Sequence, residues 1–218
     1  MPRNLSDLIT ISKSDPTITS SPVVEPIKEI EYPEHLFTDS ELVGYINEIS
    51  HEQFFNFAFN GIDLTTSSIL DMGCGRGDLY RYLNDRFTNV IYTGIDVNQI
   101  LIEVGKRKYP GINLINTDWM NFTTDSKFDW VVNIFGNAMI YTNSFPEDKW
   151  QYLIGSIEKA LSLCNQGLIF IILSNNGGVE QYLQYEISEL CKHLEGKYLF
   201  GIDSTNNYTS YKLFIQKT

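Results

Sequence analysis

From Ser68 onward, short apolar runs alternate with segments whose apolar residues recur every three or four positions. Runs such as Val90-Ile91-Tyr92 and Leu168-Ile169-Phe170-Ile171-Ile172-Leu173 lack polar alternation, as strands covered on both faces do. The spacing predicts strands over 68–71, 90–95, 112–115, 128–134 and 167–173. Helices are predicted between them over 78–86, 98–107, 147–163 and 179–194. This alternation predicts an α/β fold, a doubly wound sheet with helices on both faces. The tail breaks the rule: Tyr198–Asp203 and Thr209–Gln216 are strand-like, with the turn residues Ser204-Thr205-Asn206-Asn207 between them, a hairpin signal. The expected sheet is therefore seven-stranded and mostly parallel, with an antiparallel C-terminal hairpin.

Upstream, Ser40 can cap a helix reaching Phe59, with Leu42, Val43, Ile46, Ile49, Phe54, Phe57 and Ala58 as its apolar face and Gly61 as its stop. Residues 1–33 differ from the rest. Ser12-Lys13-Ser14-Asp15-Pro16, Ser20-Ser21-Pro22, Pro26 and Pro33 are turn and linker chemistry, read as an extended or partly disordered leader. Residues 34–218 then form a single domain that opens on a helix able to act as a lid.

Composition narrows the function classes. A chain of 218 residues, 43% hydrophobic and 20% charged, has enough material for one soluble core. The formal net charge of −11 disfavours direct binding to nucleic acid or an anionic membrane, which needs a basic surface. The basic cluster Lys106-Arg107-Lys108 reads as a solvated helix end. Cys74, Cys164 and Cys191 form no C-x-x-C pair, so no disulfide framework or metal site is legible, and a reducing, cytoplasmic location is expected. No apolar leader or membrane-length stretch is present.

The most informative segment is Ile69-Leu70-Asp71-Met72-Gly73-Cys74-Gly75-Arg76-Gly77-Asp78-Leu79. An apolar strand ends in an acid and runs into three glycines at alternate positions, with a helix following. Glycine there allows positive φ and leaves no Cβ, so a ligand can lie against the backbone, and the loop can offer its N–H groups at a helix N-terminus. A dinucleotide fingerprint, G-x-G-x-x-G, would require glycine at 78, where this chain has Asp78. The arrangement acidic-x-Gly-x-Gly-x-Gly resembles the first motif of the class I S-adenosylmethionine-dependent methyltransferases, whose Rossmann-like sheet also ends in an antiparallel hairpin.

The resemblance extends over about residues 40–218 and implies a set of cofactor contacts. Asp71 would accept from the ammonium of the cofactor's amino-acid end, with the backbone around Gly73, Cys74, Gly75 and Gly77 beside it; Asp71 could equally satisfy the loop's own amides. Asp96, closing Gly94-Ile95-Asp96-Val97, stands where an acid can accept both ribose hydroxyls, or where it can cap the next helix near Asn98. In Asn116-Thr117-Asp118-Trp119, Asp118 would accept from the adenine amino group and Trp119 would cover the ring. A helix cap and a core position are the alternatives. Asn133 would line the methyl side; the Asn133-Ile134-Phe135-Gly136 run lacks the prolines of the branches that methylate nucleobase or amide nitrogen. Cys74 reads as a small residue filling tight space, and Asp129 as structural.

Methyl transfer from a sulfonium is an in-line displacement that chiefly needs a positioned nucleophile in a dry pocket. A base, where one is needed, has His51 and Tyr141 as candidates, ahead of Tyr45 and Tyr208. The implied function is S-adenosylmethionine-dependent methyl transfer, yielding S-adenosylhomocysteine, to a small molecule first and a protein side chain second. The competing readings are a nicotinamide-nucleotide oxidoreductase, which would also use Asp96, and a non-catalytic scaffold of the same fold.

Overall fold

The computed structural model describes residues 48–134, 148–174, 183–205 and 210–217, with side chains from residue 51 onward. Its elements run α1 (Glu48–Phe59), β1 (Ser68–Met72), α2 (Asp78–Arg86), β2 (Ile91–Asp96), α3 (Gln99–Lys108) and β3 (Leu114–Asn116). They continue with β4 (Phe128–Ile134), α4 (Lys149–Leu163), β5 (Cys164–Leu173), α5 (Ile187–Leu194), β6 (Phe200–Ser204) and β7 (Ser210–Gln216). Seven strands form one sheet in the order β3-β2-β1-β4-β5-β7-β6. Strands β1 to β5 pair in parallel, whereas β7 runs antiparallel to both β5 and β6. This is the Rossmann-like sheet with a C-terminal hairpin expected from the sequence.

The apolar runs behave as period-two strands buried on both sides. Leu70, Val131, Leu168, Phe170 and Ile172 pack with Leu153, Ile157 and Leu190 of α4 and α5. Ile69, Val132, Ile169 and Ile171, one residue out of step, pack with Phe55, Leu79, Leu83 and Ile102 of α1, α2 and α3. Asp129 ties the starts of β1 and β4 by accepting from the Ser68 N–H and hydroxyl, both at 2.8 Å.

Several boundaries differ from the sequence reading. Strand β3 begins at Leu114 rather than 112, because the Ile112 N–H donates to the Tyr109 carbonyl at 3.1 Å in a turn. Helix α5 begins at Ile187, not 179. Tyr185 instead bridges to Ser174, its N–H donating to the Leu173 carbonyl at 3.0 Å, which holds the chain extended. Strand β5 reaches back to Cys164 across an irregularity opposite Phe128 and Trp130. The expected leader, Ser40, Tyr45, Phe135, Gly136, Tyr141 and Tyr208 lie outside the described residues.

Candidate functional site

The strand order reverses between β1 and β4: the chain passes from β1 outward to β2 and β3, then returns to β4 on the other side. Open α/β sheets bind ligands in the crevice at the carboxyl ends of strands flanking such a reversal. Those ends carry Asp71 and the glycine loop from β1, Asp96 from β2 and Asn133 from β4.

The loop is built around its three glycines. Gly73, Gly75 and Gly77 have φ of 77°, 56° and 79°, a region where a Cβ is strained, and Gly77 is the N-cap of α2. The N–H groups of Gly73 and Cys74 both donate to the Ile95 carbonyl, at 2.8 and 3.1 Å. The Gly75 N–H donates to Asp96 Oδ2 at 2.8 Å, and the Gly77 N–H to the Cys74 carbonyl at 2.9 Å. Four of the loop's N–H groups stitch it to β2 and to itself, and its three glycines leave no Cβ between the backbone and the crevice.

Two close packings hold the loop down. A Cβ on Gly105 of α3 would overlap the Arg76 carbonyl oxygen. A Cβ on Gly94 would lie 2.8 Å from Cys74 Sγ. Cys74 thus fills tight space against β2, and burial followed by the nearby Asp71 and Asp96 charges pushes its thiol well above its ordinary range.

Asp96 is 6% exposed and spans two elements. Its Oδ2 takes the Gly75 N–H, while Oδ1 takes the Asn98 N–H at 2.8 Å. The cap of α3 is Asn98 itself, whose Oδ1 accepts from the Ile100 and Leu101 N–H groups. Burial raises the Asp96 carboxyl, against the lowering effect of the Asn98, Gly75 and Val97 N–H groups. Asp71 is 3% exposed and accepts from the Tyr92 hydroxyl at 2.7 Å. Burial lifts its pKa to about 7; the Tyr92 bond lowers it and Asp96 raises it. Tyr92 escaped the sequence reading, being one apolar position of a buried strand.

Beyond β3, Asp118 is exposed and caps a turn, Oδ1 accepting from the Met120 N–H at 2.9 Å. Trp119 is a core residue, 7% exposed, its ring 5.9 Å from that of Tyr152. The apolar side chains that stand open past β2 and β3 are Val97 and Met120, 54% and 44% exposed. Asn133 is fully buried at the end of β4.

The sequence reading also missed a charged cluster behind the loop. Asp78 Oδ2 accepts from Arg76 Nε at 2.6 Å, and its Oδ1 from Lys108 Nζ and the Tyr109 hydroxyl, both at 2.7 Å. Burial alone would raise this carboxyl, but Arg76 and Lys108 hold it below its ordinary value. His51 lies in this neighbourhood, its ring 4.5 Å from Phe55, and not with Asp71, Asp96 and Asn133. No group of side chains suited to a metal ion occurs among the described residues, all three cysteines are free thiols, and no described helix is long and apolar enough to cross a membrane.

Comparison with known proteins agrees with this geometry. Residues 69–162 match the family model for a methyltransferase domain. Phthiotriol/phenolphthiotriol dimycocerosates methyltransferase of Mycobacterium tuberculosis is 30% identical over 88 residues, covering 39% of this chain and 33% of that protein. The chain spans about a third of the length of the curated relatives it matches. The solved N-methyltransferase NodS of Bradyrhizobium japonicum, in complex with S-adenosylhomocysteine, has a TM-score of 0.57 at 17% identity, covering 84% of this chain and 94% of that one. Magnesium protoporphyrin IX methyltransferase of Synechocystis, with bound S-adenosylmethionine, has a TM-score of 0.55 at 17% identity, covering 78% and 79%. Residues 69–162 are thus similar to a methyltransferase domain, within the fold shared with these solved methyltransferases.

Proposed function

We propose that the protein is an enzyme that transfers the methyl group of S-adenosylmethionine to a small-molecule acceptor, leaving S-adenosylhomocysteine. The observation that carries this reading is the loop of three left-handed glycines, pinned by Asp96 at the sheet's reversal point inside the matched domain. The residues present suit the group. Asp96 spends one lone pair of each oxygen on backbone N–H groups and keeps the others for ribose hydroxyls. Asp71 supplies a buried carboxylate for an ammonium. Asp118 would accept from the adenine amino group, Val97 and Met120 would flank the ring, Trp119 would back that wall from the core, and the backbone of Gly73, Cys74, Gly75 and Gly77 would form the floor. Asn133, at the end of β4, would line the methyl side.

The bound sulfonium supplies an activated methyl group. A lone pair of the acceptor forms the new bond to the methyl carbon as the carbon–sulfur pair returns to sulfur, and the acceptor's proton leaves to water or a base. The chain's part is to hold the donor rigidly and exclude water. His51, whose pKa burial pushes down to about 4, is a weak base at neutral pH, so the reaction we propose does not route its proton there.

A small acceptor fits the acidic charge of the chain, and the two solved neighbours and the mycobacterial relative are named for small-molecule acceptors or a small-molecule cofactor complex. The test is calorimetric titration with S-adenosylhomocysteine, with NAD and NADP as controls, followed by a labelled-donor screen of acceptors. Stoichiometric binding of S-adenosylhomocysteine alone supports the reading. Binding of a nicotinamide nucleotide alone overturns it, and binding of none favours a scaffold.

A further inference from the structure

Three carboxylates stand at or behind the glycine loop, and each is compensated differently. Asp96 accepts from the backbone N–H groups of Gly75 and Asn98, and Asp78 from Arg76, Lys108 and Tyr109. Asp71 has neither a backbone donor nor a cation beside it among the described residues; its partner is the Tyr92 hydroxyl, 2.7 Å from Oδ2. Both side chains are deeply buried, Asp71 at 3% and Tyr92 at 6% exposure.

Strand register brings the two together. Ile69 pairs with Tyr92 and Asp71 with Gly94 on parallel neighbours, so these side chains share one face and Tyr92 stands on the diagonal from Asp71. Gly94, directly opposite Asp71, has no side chain to offer it, and the space over that glycine holds Cys74 and Leu114. The Tyr92 ring lies 5.6 Å from that of Tyr80, which lies 6.0 Å from that of Tyr109. Packing therefore sets the phenol before any ligand arrives, as a supporting group must be set. A phenylalanine would fill the same space without burying a hydroxyl, and an apolar pair in place of Tyr92 and Asp71 would cost the core little or stabilise it. Packing alone gives the pair no purpose, whereas a cation in the crevice does.

We infer that Tyr92 is a positioning residue for the methyl donor: its hydroxyl holds the Asp71 carboxylate in place to receive the ammonium of the donor's amino-acid end. The inference rests on the methyltransferase reading of the site and adds to it a residue outside the glycine loop. The titratable groups that face Asp71 among the described residues are Tyr92 and Asp96 of β2 and Cys74 of the loop. Burial raises the Asp71 carboxyl to about 7, the Tyr92 bond lowers it and the Asp96 charge raises it. Tyr92 itself is pushed well above its ordinary range, first by burial and then by the Asp71 and Cys74 charges, so it keeps its proton and remains the donor. An ammonium is received by the ionised carboxylate, so affinity falls as pH drops through the Asp71 value in the ligand-free protein. Removing the Tyr92 bond moves that fall to higher pH.

The experiment is calorimetric titration of the full chain with S-adenosylhomocysteine between pH 5.5 and pH 8, in the parent, Tyr92→Phe and Asp71→Asn proteins. Tyr92→Phe keeps the ring that packs on Tyr80, so the fold should persist, and its Tm is measured alongside. Its affinity near pH 7 should fall by about tenfold or more, the effect of losing a bond to a charged acceptor. The loss should narrow as pH rises, with the acid limb of the profile moved to higher pH. Asp71→Asn should bind with an affinity that no longer falls toward low pH, which assigns that limb to this carboxyl. A loss in Tyr92→Phe that is equal at every pH would mark a merely structural role and overturn the inference, as would unchanged affinity or an acid limb that survives in Asp71→Asn. A parent protein that binds no S-adenosylhomocysteine would overturn the methyltransferase reading itself, so the two failures are told apart.

Discussion

Replacing Asp96 by Asn separates the anchoring of the glycine loop from the ribose contact proposed for the same carboxylate. In the free protein Asp96 Oδ2 holds the Gly75 N–H and Oδ1 the Asn98 N–H, each at 2.8 Å, in a site only 6% exposed. An amide of the same shape can accept one of these and must turn its NH2 toward the other. One buried N–H is left without an acceptor, which costs about 1–3 kcal/mol of stability. If the ribose hydroxyls also donate to Asp96, the variant loses part of that as well, at about 1.5–3 kcal/mol for each bond to a charged acceptor. Affinity for S-adenosylhomocysteine should then fall by roughly 10- to 150-fold.

Loop damage alone could mimic this loss, so the assay compares two ligands. S-adenosylhomocysteine and its 2′-deoxy analogue are titrated calorimetrically into the parent and Asp96→Asn proteins, forming a thermodynamic cycle. Loosening of the glycine loop weakens both ligands alike and cancels; a ribose contact does not. The parent should prefer the ribose form by about tenfold or more, and the variant should lose most of that preference. Equal preference in the two proteins would refute the ribose role while leaving the anchoring role intact.

Three other outcomes are expected. The Asp71 carboxyl, raised by burial to about 7, stabilises the fold fully only below its unfolded value near 3.8, and that contribution fades as pH rises through 7. Urea unfolding should show a loss of roughly 2–3 kcal/mol from this group between pH 5 and pH 8, and Asp71→Asn should flatten the slope. Gly105→Ala ought to raise helix propensity by about 1 kcal/mol, but its Cβ would overlap the Arg76 carbonyl oxygen, a backbone atom that cannot step aside. Its Tm and its affinity for S-adenosylhomocysteine should both fall, and a rise in Tm would show that α3 can back away from the loop. Tyr185 is 1% exposed and its hydroxyl has no hydrogen-bond partner among the described residues, so Tyr185→Phe should leave stability unchanged or raise it by up to about 1 kcal/mol. A clear loss in urea unfolding would mean that a buried water satisfies the hydroxyl.

What could be read from the sequence follows from how locally each residue's role is determined. The glycines at 73, 75 and 77 are demanded by their own φ angles, and the strand-end acids by the period of the runs that precede them. The sheet and its hairpin were legible for the same reason, since burial on both faces removes polar residues from a strand whatever its neighbours are. The local pattern is insufficient where a long-range contact decides. Tyr185 would continue a helical face, but its bond to Leu173 across the end of β5 keeps it extended. Trp119 reads equally as ring cover or core until α4 brings Tyr152 against it.

Asp78 shows the limit most clearly. Along the chain it is legible only as a missing glycine, a residue that breaks the dinucleotide pattern. In the fold it gathers Arg76, Lys108 and Tyr109, the last two 30 and 31 residues away. No periodicity announces such a partnership, because Lys108 in a basic helix end looks like any solvated charge. Yet the same residue that breaks the dinucleotide pattern ties that loop's Arg76 to Lys108 of α3. A glycine at 78 would remove that shared acceptor and loosen the packing of the loop on Gly105. The departure from the dinucleotide pattern and the tie between the loop and α3 are therefore two consequences of one carboxylate.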